Sequence, residues 1–125
     1  MKLAIIANPR KYEIREVLKK TIEWAEQKNI SLFINSEICE ETGLNSSSCI
    51  QKTNSDEQSI KACDYIVVVG GDGTILYTAR ISKDINKPIL GVNGGRLGFM
   101  ANTQIEDLER ALDCLIHKDF TLDKR

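Results

Sequence analysis

Apolar runs alternate along this chain with stretches whose apolar residues recur every three or four positions. Residues 3–7 and 65–69 are runs of the first kind, which are typical of strands buried on both faces of a sheet. Residues 10–28 have the second pattern, which predicts an amphipathic helix ending at Asn29. Strands that alternate with helices predict an α/β fold, with an open, mostly parallel sheet and helices on both faces.

Shorter signals predict the remaining elements. Residues 35–55 are rich first in glutamate and then in serine, which favours a mobile surface loop. The length of 125 residues corresponds to one domain, spanning residues 1–125. Further strands are predicted at residues 31–34 and 88–92, and helices at residues 56–63, 74–82 and from Thr103 to about Lys118.

Charge and cysteine content exclude several classes of protein. Seventeen basic and eighteen acidic side chains leave a net charge of −1, whereas a general nucleic-acid binder carries a basic excess. No apolar run approaches the roughly 20 residues that a membrane-spanning helix needs. Cys39, Cys49, Cys63 and Cys114 form no C-x-x-C pair, which predicts reduced thiols in a cytoplasmic protein. His117 is predicted to close the last helix and not to bind a metal.

Seven of the eight glycines lie between residues 70 and 98. The first group directly follows a predicted strand and precedes a helix, which favours a turn whose backbone N–H groups bind phosphate. A carboxylate repels phosphate, so Asp72 is expected either to accept a proton from an attacking hydroxyl or to hold a divalent metal between phosphates. A helix-capping role for Asp72 is the structural alternative. The group comprises Gly70, Gly71, Asp72, Gly73 and Thr74.

The second group of glycines, in residues 91–98, also follows a predicted strand and is expected at the same edge of the sheet. Asn93 tolerates a left-handed backbone and offers both a donor and an acceptor. Arg96 could pair with phosphate, and Phe99 could offer its ring to a base. The alternative is a glycine-rich turn with Phe99 in the core and Arg96 in solvent.

Together, these two groups closely resemble the NAD kinase family. The G-G-D-G element alone is shared with diacylglycerol and sphingosine kinases and with phosphofructokinases, whereas N-x-G-x-L-G-F points to NAD kinases. Asn8-Pro9 after the first strand and the tail at residues 120–125 fit as well, so the resemblance covers nearly the whole chain. It implies a Rossmann-like sheet that forms the N-terminal domain of the NAD kinase fold.

The resemblance also implies roles for individual residues, without any metal ligand among them. Asp72 would be the general base that takes the proton from the adenosine 2′-hydroxyl of NAD. Tyr77 departs from the pattern, since many relatives carry a basic residue there, so an ion pair to a cofactor phosphate is not expected. The phosphate-binding turn would consist of Gly70, Gly71, Gly73 and Thr74, and the NAD pocket would include Asp72, Gly73, Asn93, Gly95, Leu97 and Phe99.

An enzyme of this family would transfer a phosphoryl group from ATP or polyphosphate to NAD, with a divalent cation such as Mg²⁺, and make NADP. The family's β-rich C-terminal domain is absent from these 125 residues. We therefore expect a fragment that is inactive alone, with a natural single-domain relative as the alternative, and we expect it to form a homo-oligomer through the face that the second domain would cover. The alternatives are a lipid or sphingoid kinase domain that shares the G-G-D-G turn, or a non-catalytic nucleotide-binding module.

Overall fold

Strands and helices alternate along the chain, as the sequence pattern predicts. The computed structural model describes residues 1–8, 13–44, 47–92, 102–103, 109–110 and 112–113, with the backbone alone for Glu13, Asp72, Asn102 and Thr103. The strands are β1 (Lys2–Ala7), β2 (Ser31–Asn35), β3 (Ile50–Thr53), β4 (Tyr65–Val69), β5 (Ile89–Val92) and β6 (Asn102–Thr103). The helices are α1 (Glu13–Lys28), α2 (Ser36–Thr42), α3 (Asp56–Ala62) and α4 (Asp72–Ile81), and residues 109–110 and 112–113 are helical as well.

The strands form one sheet in the order β3-β2-β1-β4-β5-β6, and every neighbouring pair is parallel. The predicted α/β fold with its open parallel sheet is therefore confirmed. From β1 the chain adds strands first on one side and then, from β4 onward, on the other. Such a reversal opens a crevice at the carboxyl ends of the two central strands, where ligands bind in open α/β sheets.

Helices cover both faces of the sheet, as predicted. Successive side chains of a strand point to opposite faces, and β1 supplies both cores. Leu3 is fully buried in a core that the sheet forms with α1 and α2. Ile6 is fully buried in the second core, which Ile60 of α3 and Ile75 of α4 close from the other side.

The predicted end of the first helix at Asn29 is confirmed. Asn29 has a φ of 57°, a left-handed conformation that asparagine tolerates better than most residues. The next N–H group, from Ile30, donates to the carbonyl of Ala25 at 3.0 Å, which closes the last turn of α1. The chain then enters β2 directly.

The expectation of a mobile loop over residues 35–55 is wrong at its beginning, where α2 forms. The side chain of Asn35 accepts a hydrogen bond from the N–H of Glu37, and the helix ends at Gly43 with a φ of 71°. Ile38 is buried against the sheet. Because seven residues are too few to show a helical period, these cap signals were the only local evidence for α2.

The same expectation also misses β3, which forms the outer strand of the sheet. Gln51 and Lys52 are exposed, so β3 lacks the apolar run that marks the central strands. Its place is set by pairing with β2, in a register that sets Ile50 beside Leu32 and Thr53 beside Asn35. A tertiary contact of this kind overrides local composition.

Three further predictions concern the cysteines, the last helix and membrane spans. Cys39 and Cys63 are buried and Cys49 is partly buried, and all three are free thiols, as predicted.

The last helix is described only in part. Residues 109–110 and 112–113 are helical, within the predicted range, whereas Cys114 and His117 lie outside the described residues. The strand β6 was not predicted. Of the helices that the structure describes, none is long and apolar enough to cross a membrane.

Candidate functional site

The turn between β4 and α4 is built on Gly70. Its φ is 153°, a region that residues with a side chain rarely adopt. A Cβ atom at this position would lie 2.7 Å from Oγ1 of Thr74, so no side chain fits without displacement. The N–H of Gly70 donates to the carbonyl of Val92 at 3.0 Å, which ties the turn to the end of β5.

The first turn of α4 leaves backbone donors at the edge of the sheet. Gly71 is the N-cap residue and makes no side-chain capping bond, whereas Asn35 and Ser55 cap α2 and α3 with their side chains. The carbonyl of Gly71 accepts the N–H groups of Thr74 and Ile75. The N–H groups before them have no partner within the helix, which is the arrangement that binds anions.

Asp72 is the first helical residue of α4, at the carboxyl edge of the sheet. Since Gly71 occupies the N-cap position, the alternative in which Asp72 caps the helix is wrong. The structure describes only the backbone of Asp72, so its role as a base stays a prediction. Gly73, the next residue, has open space around the position of a Cβ atom.

The second group of glycines begins beside this turn. β5 pairs with β4 so that Val92 lies next to Val69, and both strands end at the same edge. The expectation that the two groups follow neighbouring strand ends is therefore confirmed. Asn93, Gly95, Leu97 and Phe99, with Gly94, Arg96 and Gly98, lie outside the described residues, and their roles stay predictions.

The sequence did not predict a third feature of this edge, a contact between α4 and α3. The hydroxyl of Tyr77, on α4, donates to Oδ2 of Asp56 at 2.8 Å. Oδ1 of the same carboxylate lies 3.4 Å from the donor Nδ2 of Asn35, at the end of β2. Burial, followed by this hydrogen bond, raises the pKa of Tyr77 above its usual value, so the hydroxyl remains a donor at neutral pH. Each contact joins residues 21 positions apart, and no local pattern reports such a pairing.

The described side chains include no group of three His, Cys, Asp or Glu residues that could hold a metal ion. Magnesium usually keeps several waters and binds through substrate phosphates and one or two carboxylates. The described side chains therefore form no protein cage for a divalent cation.

Several known NAD kinases are similar to this chain. The sequence matches the family described as the ATP-NAD kinase N-terminal domain over residues 3–120. The NAD kinase of Desulforamulus reducens is 32% identical over 123 residues, which are 98% of this chain and 41% of that protein. The NAD kinase of Prosthecochloris aestuarii is 29% identical over all 125 residues, and that of Clostridium kluyveri is 46% identical over 70 residues, 56% of this chain and 25% of that protein.

A solved structure shares the fold. The crystal structure of an NAD kinase from Archaeoglobus fulgidus in complex with ATP superposes with a TM-score of 0.59 and 24% identity, covering 95% of this chain and 38% of that one. This chain spans about two fifths of the length of the relatives it matches. Since the family match covers almost every residue of the sheet and its helices, the chain belongs to the ATP-NAD kinase N-terminal domain family.

Proposed function

We propose that this chain is the nucleotide-binding part of an NAD kinase, which transfers a phosphoryl group from ATP or polyphosphate to the adenosine 2′-hydroxyl of NAD. The observation that carries the proposal is the turn at Gly70 and Gly71. The helix α4 begins directly after this turn without a side-chain cap, and Asp72 is its first residue. The turn offers backbone donors for phosphate, and Asp72 is an acid at the same edge of the sheet.

The proposed reaction forms one bond and breaks one. The 2′-oxygen of the adenosine attacks the terminal phosphorus of the donor, the bond from that phosphorus to the leaving phosphate oxygen breaks, and the hydroxyl proton passes to the Asp72 carboxylate. Phosphoryl transfer has a loose transition state, so positioning and charge neutralisation dominate the catalysis. A carboxylate is a weak base towards a sugar hydroxyl. We therefore infer that Asp72 orients the hydroxyl first and accepts its proton late.

The remaining predicted site residues form two groups, one in the turn after β4 and one after the end of β5. Gly70, Gly71, Gly73 and Thr74 would bind phosphate through the turn, and the hydroxyl of Thr74 supports this turn because it fills the space beside Gly70. Asn93, Gly95, Leu97 and Phe99 would shape the NAD pocket, next to the end of β5.

ATP is the proposed donor because the protein from Archaeoglobus fulgidus is an NAD kinase in complex with ATP. A divalent cation, Mg²⁺ by its preference for phosphate oxygens, would enter bound to that donor. Free thiols at Cys39, Cys49 and Cys63 favour the cytoplasm as the location. The rest of the active site would come from the part of the relatives that this chain does not cover, and homo-oligomerisation is proposed with it.

The test replaces Asp72 by asparagine in the full-length gene product that contains this chain. Loss of a general base should lower kcat by about 10²–10⁴-fold while the circular dichroism spectrum stays unchanged. Asp84→Asn is the matched control, because it removes an exposed carboxylate just after α4 and should leave kcat unaltered. Near-normal NADP formation by Asp72→Asn would overturn the assignment.

A panel of acceptors separates the proposed function from the alternatives. NAD, diacylglycerol and sphingosine are each offered to the wild-type protein with ATP, or with polyphosphate, and radiolabel transfer is measured. We expect transfer to NAD and none to the two lipids. Phosphorylation of a lipid would indicate the lipid kinase alternative, and nucleotide binding without any transfer would indicate a non-catalytic module.

A further inference from the structure

The Asp56 carboxylate connects three elements at the carboxyl edge of the sheet. Asp56 is the first residue of α3, where the partial positive charge of a helix N-terminus favours a carboxylate. One of its oxygens accepts the Tyr77 hydroxyl of α4 at 2.8 Å, and the other lies 3.4 Å from Nδ2 of Asn35, which ends β2. The carboxylate therefore bridges the outer half of the sheet and the helix that follows the nucleotide turn.

Tyr77 lies one turn into α4, close to the proposed phosphate site. It lies five positions after Asp72, a rise of about 7.5 Å along the helix axis. Side chains of a helix lean towards its N-terminus, and the ring of Tyr77 packs, partly buried, against the core that α3 and α4 form with the sheet. The hydroxyl of Tyr77 then meets Asp56 at the edge where the turn lies.

The start of α4 lacks the restraint that the starts of α2 and α3 have. Asn35 and Ser55 fasten those two helices with side-chain caps, and Gly71 cannot do so. A glycine-rich turn is also costly to order, because glycine loses the most backbone freedom on folding. The contact from Tyr77 to Asp56 supplies a side-chain restraint within five residues of the turn.

We propose that the Tyr77–Asp56 hydrogen bond is a positioning contact that holds the start of α4, and with it the turn at residues 70–73, against the outer half of the sheet. Tyr77 acts through the backbone of α4 and not on the substrate. The restraint on the turn follows from the contact alone, whereas its effect on kcat rests on the proposed function.

The variants are chosen to separate positioning from general stability. Tyr77→Phe removes the hydroxyl and keeps the ring, while Asp56→Ala removes the acceptor and Asp56→Asn keeps one acceptor oxygen. Lys87→Met is the matched control, because Nζ of Lys87 donates to the carbonyls of Ile60 and Lys61 at 2.7 and 3.2 Å. That contact also restrains α3, but at its C-terminal end, away from the turn.

The first readout is hydrogen exchange of the backbone amides at residues 74–76, the first hydrogen-bonded amides of α4, in the full-length protein without nucleotide. Loss of a hydrogen bond to a charged group should raise these exchange rates by about tenfold in Tyr77→Phe and Asp56→Ala. Asp56→Asn should stay within about threefold of the wild type, because its remaining oxygen still accepts from Tyr77. Unchanged rates in Tyr77→Phe, or an equal rise in Lys87→Met, would overturn the proposal.

The second readout is steady-state kinetics with NAD and ATP. Tyr77→Phe should lower kcat by about five- to tenfold with KM for NAD within twofold, because a displaced turn misplaces the reacting groups. Asp56→Asn should retain most of the wild-type kcat. Lys87→Met should have the same kcat as the wild type at a temperature where the variant is folded. A kcat of Tyr77→Phe equal to that of the wild type would count against the inference. A wild type without NAD kinase activity would defeat the proposed function instead, and the exchange rates would then decide this inference.

Discussion

Gly70 and Gly73 of the nucleotide turn differ in whether a residue with a side chain could replace them. Gly70 combines a φ of 153° with a close neighbour, whereas Gly73 has no atom within 4 Å of a Cβ position and an ordinary helical backbone. Glycine content alone predicts a turn in this region, but it treats both positions alike. The backbone angles show that Gly70 alone of the two requires glycine.

Alanine substitutions should separate these two glycines. Gly70→Ala should lower the free energy of unfolding by about 1–3 kcal/mol, because it combines an unfavourable φ with a contact to Thr74. Gly73→Ala, the matched control, should change it by less than about 1 kcal/mol, in the stabilising direction, since alanine favours helix. Urea unfolding followed by circular dichroism measures both, and equal losses would contradict the reading of this turn.

The cysteines should differ in reactivity because they differ in burial. Burial raises the pKa of Cys39 and of Cys63 above the usual value, and only the thiolate reacts with alkylating reagents. Iodoacetamide at pH 8 should therefore modify Cys49, which is partly buried, well before Cys39 and Cys63. Peptide mass mapping over time measures the order, and early modification of Cys63 would contradict it.

The same two thiols make stability depend on pH in the alkaline range. A raised pKa means that the folded chain keeps a proton that the unfolded chain releases, so the stabilisation is complete below the unfolded pKa and is lost as pH rises through the folded one. The urea midpoint should fall above about pH 9, and the fall should be smaller in Cys63→Ala. An equal fall in both proteins would assign the effect to other groups.

At the scale of elements, the accuracy of the sequence predictions follows the length and burial of each element. The strand β4 lies where it was predicted, at residues 65–69, because nearly continuous apolar residues mark a strand covered on both faces. The helix α3 begins at Asp56, where the sequence predicted its start. The elements α2 and β3 were missed, since one is too short for a period and the other has two consecutive exposed polar residues in place of an apolar run.

The cap of α3 offers a direct test at this scale. The hydroxyl of Ser55 accepts the N–H of Gln58 at 3.1 Å, and Oε1 of Gln58 in turn accepts the N–H of Asn54 at 2.6 Å. Ser55→Ala should lower the free energy of unfolding by about 1 kcal/mol. Ser48→Ala, at an exposed position before β3, should have no measurable effect. A Ser55→Ala variant as stable as the wild type would show that the cap contributes nothing.

At the scale of the whole molecule, one hydrogen bond joins distant parts of the described chain, from α1 to residue 113. Nε1 of Trp24 donates to Oδ1 of Asp113 at 2.9 Å, across 89 positions of sequence, and the indole is 2% exposed. Leu112, beside it, is buried in the same core as α1. The sequence did not predict this contact, because a local pattern carries no information on a partner so far along the chain.

Removal of the hydrogen bond from Trp24 to Asp113 should lower the free energy of unfolding substantially, although the Asp113 carboxylate is near the surface. Asp113→Ala leaves the buried indole N–H without this acceptor and should lower the free energy of unfolding by about 1–3 kcal/mol. Lys28→Ala is the matched control: its ion pair with Asp113 spans 3.8 Å between side chains that are both more than 40% exposed, so it should cost less than about 1 kcal/mol. Urea unfolding followed by Trp24 fluorescence measures both, and equal costs would contradict this ranking.

The sequence by itself determined the α/β class, most helices and strands, and the turn that carries Asp72, because periodicity, caps and glycine content act within a few residues. Only the tertiary structure decided that β3 joins the sheet, as the outer strand beside β2. It also decided that Tyr77 meets Asp56. Such pairings depend on burying both faces of the sheet at once, which no short stretch of sequence encodes.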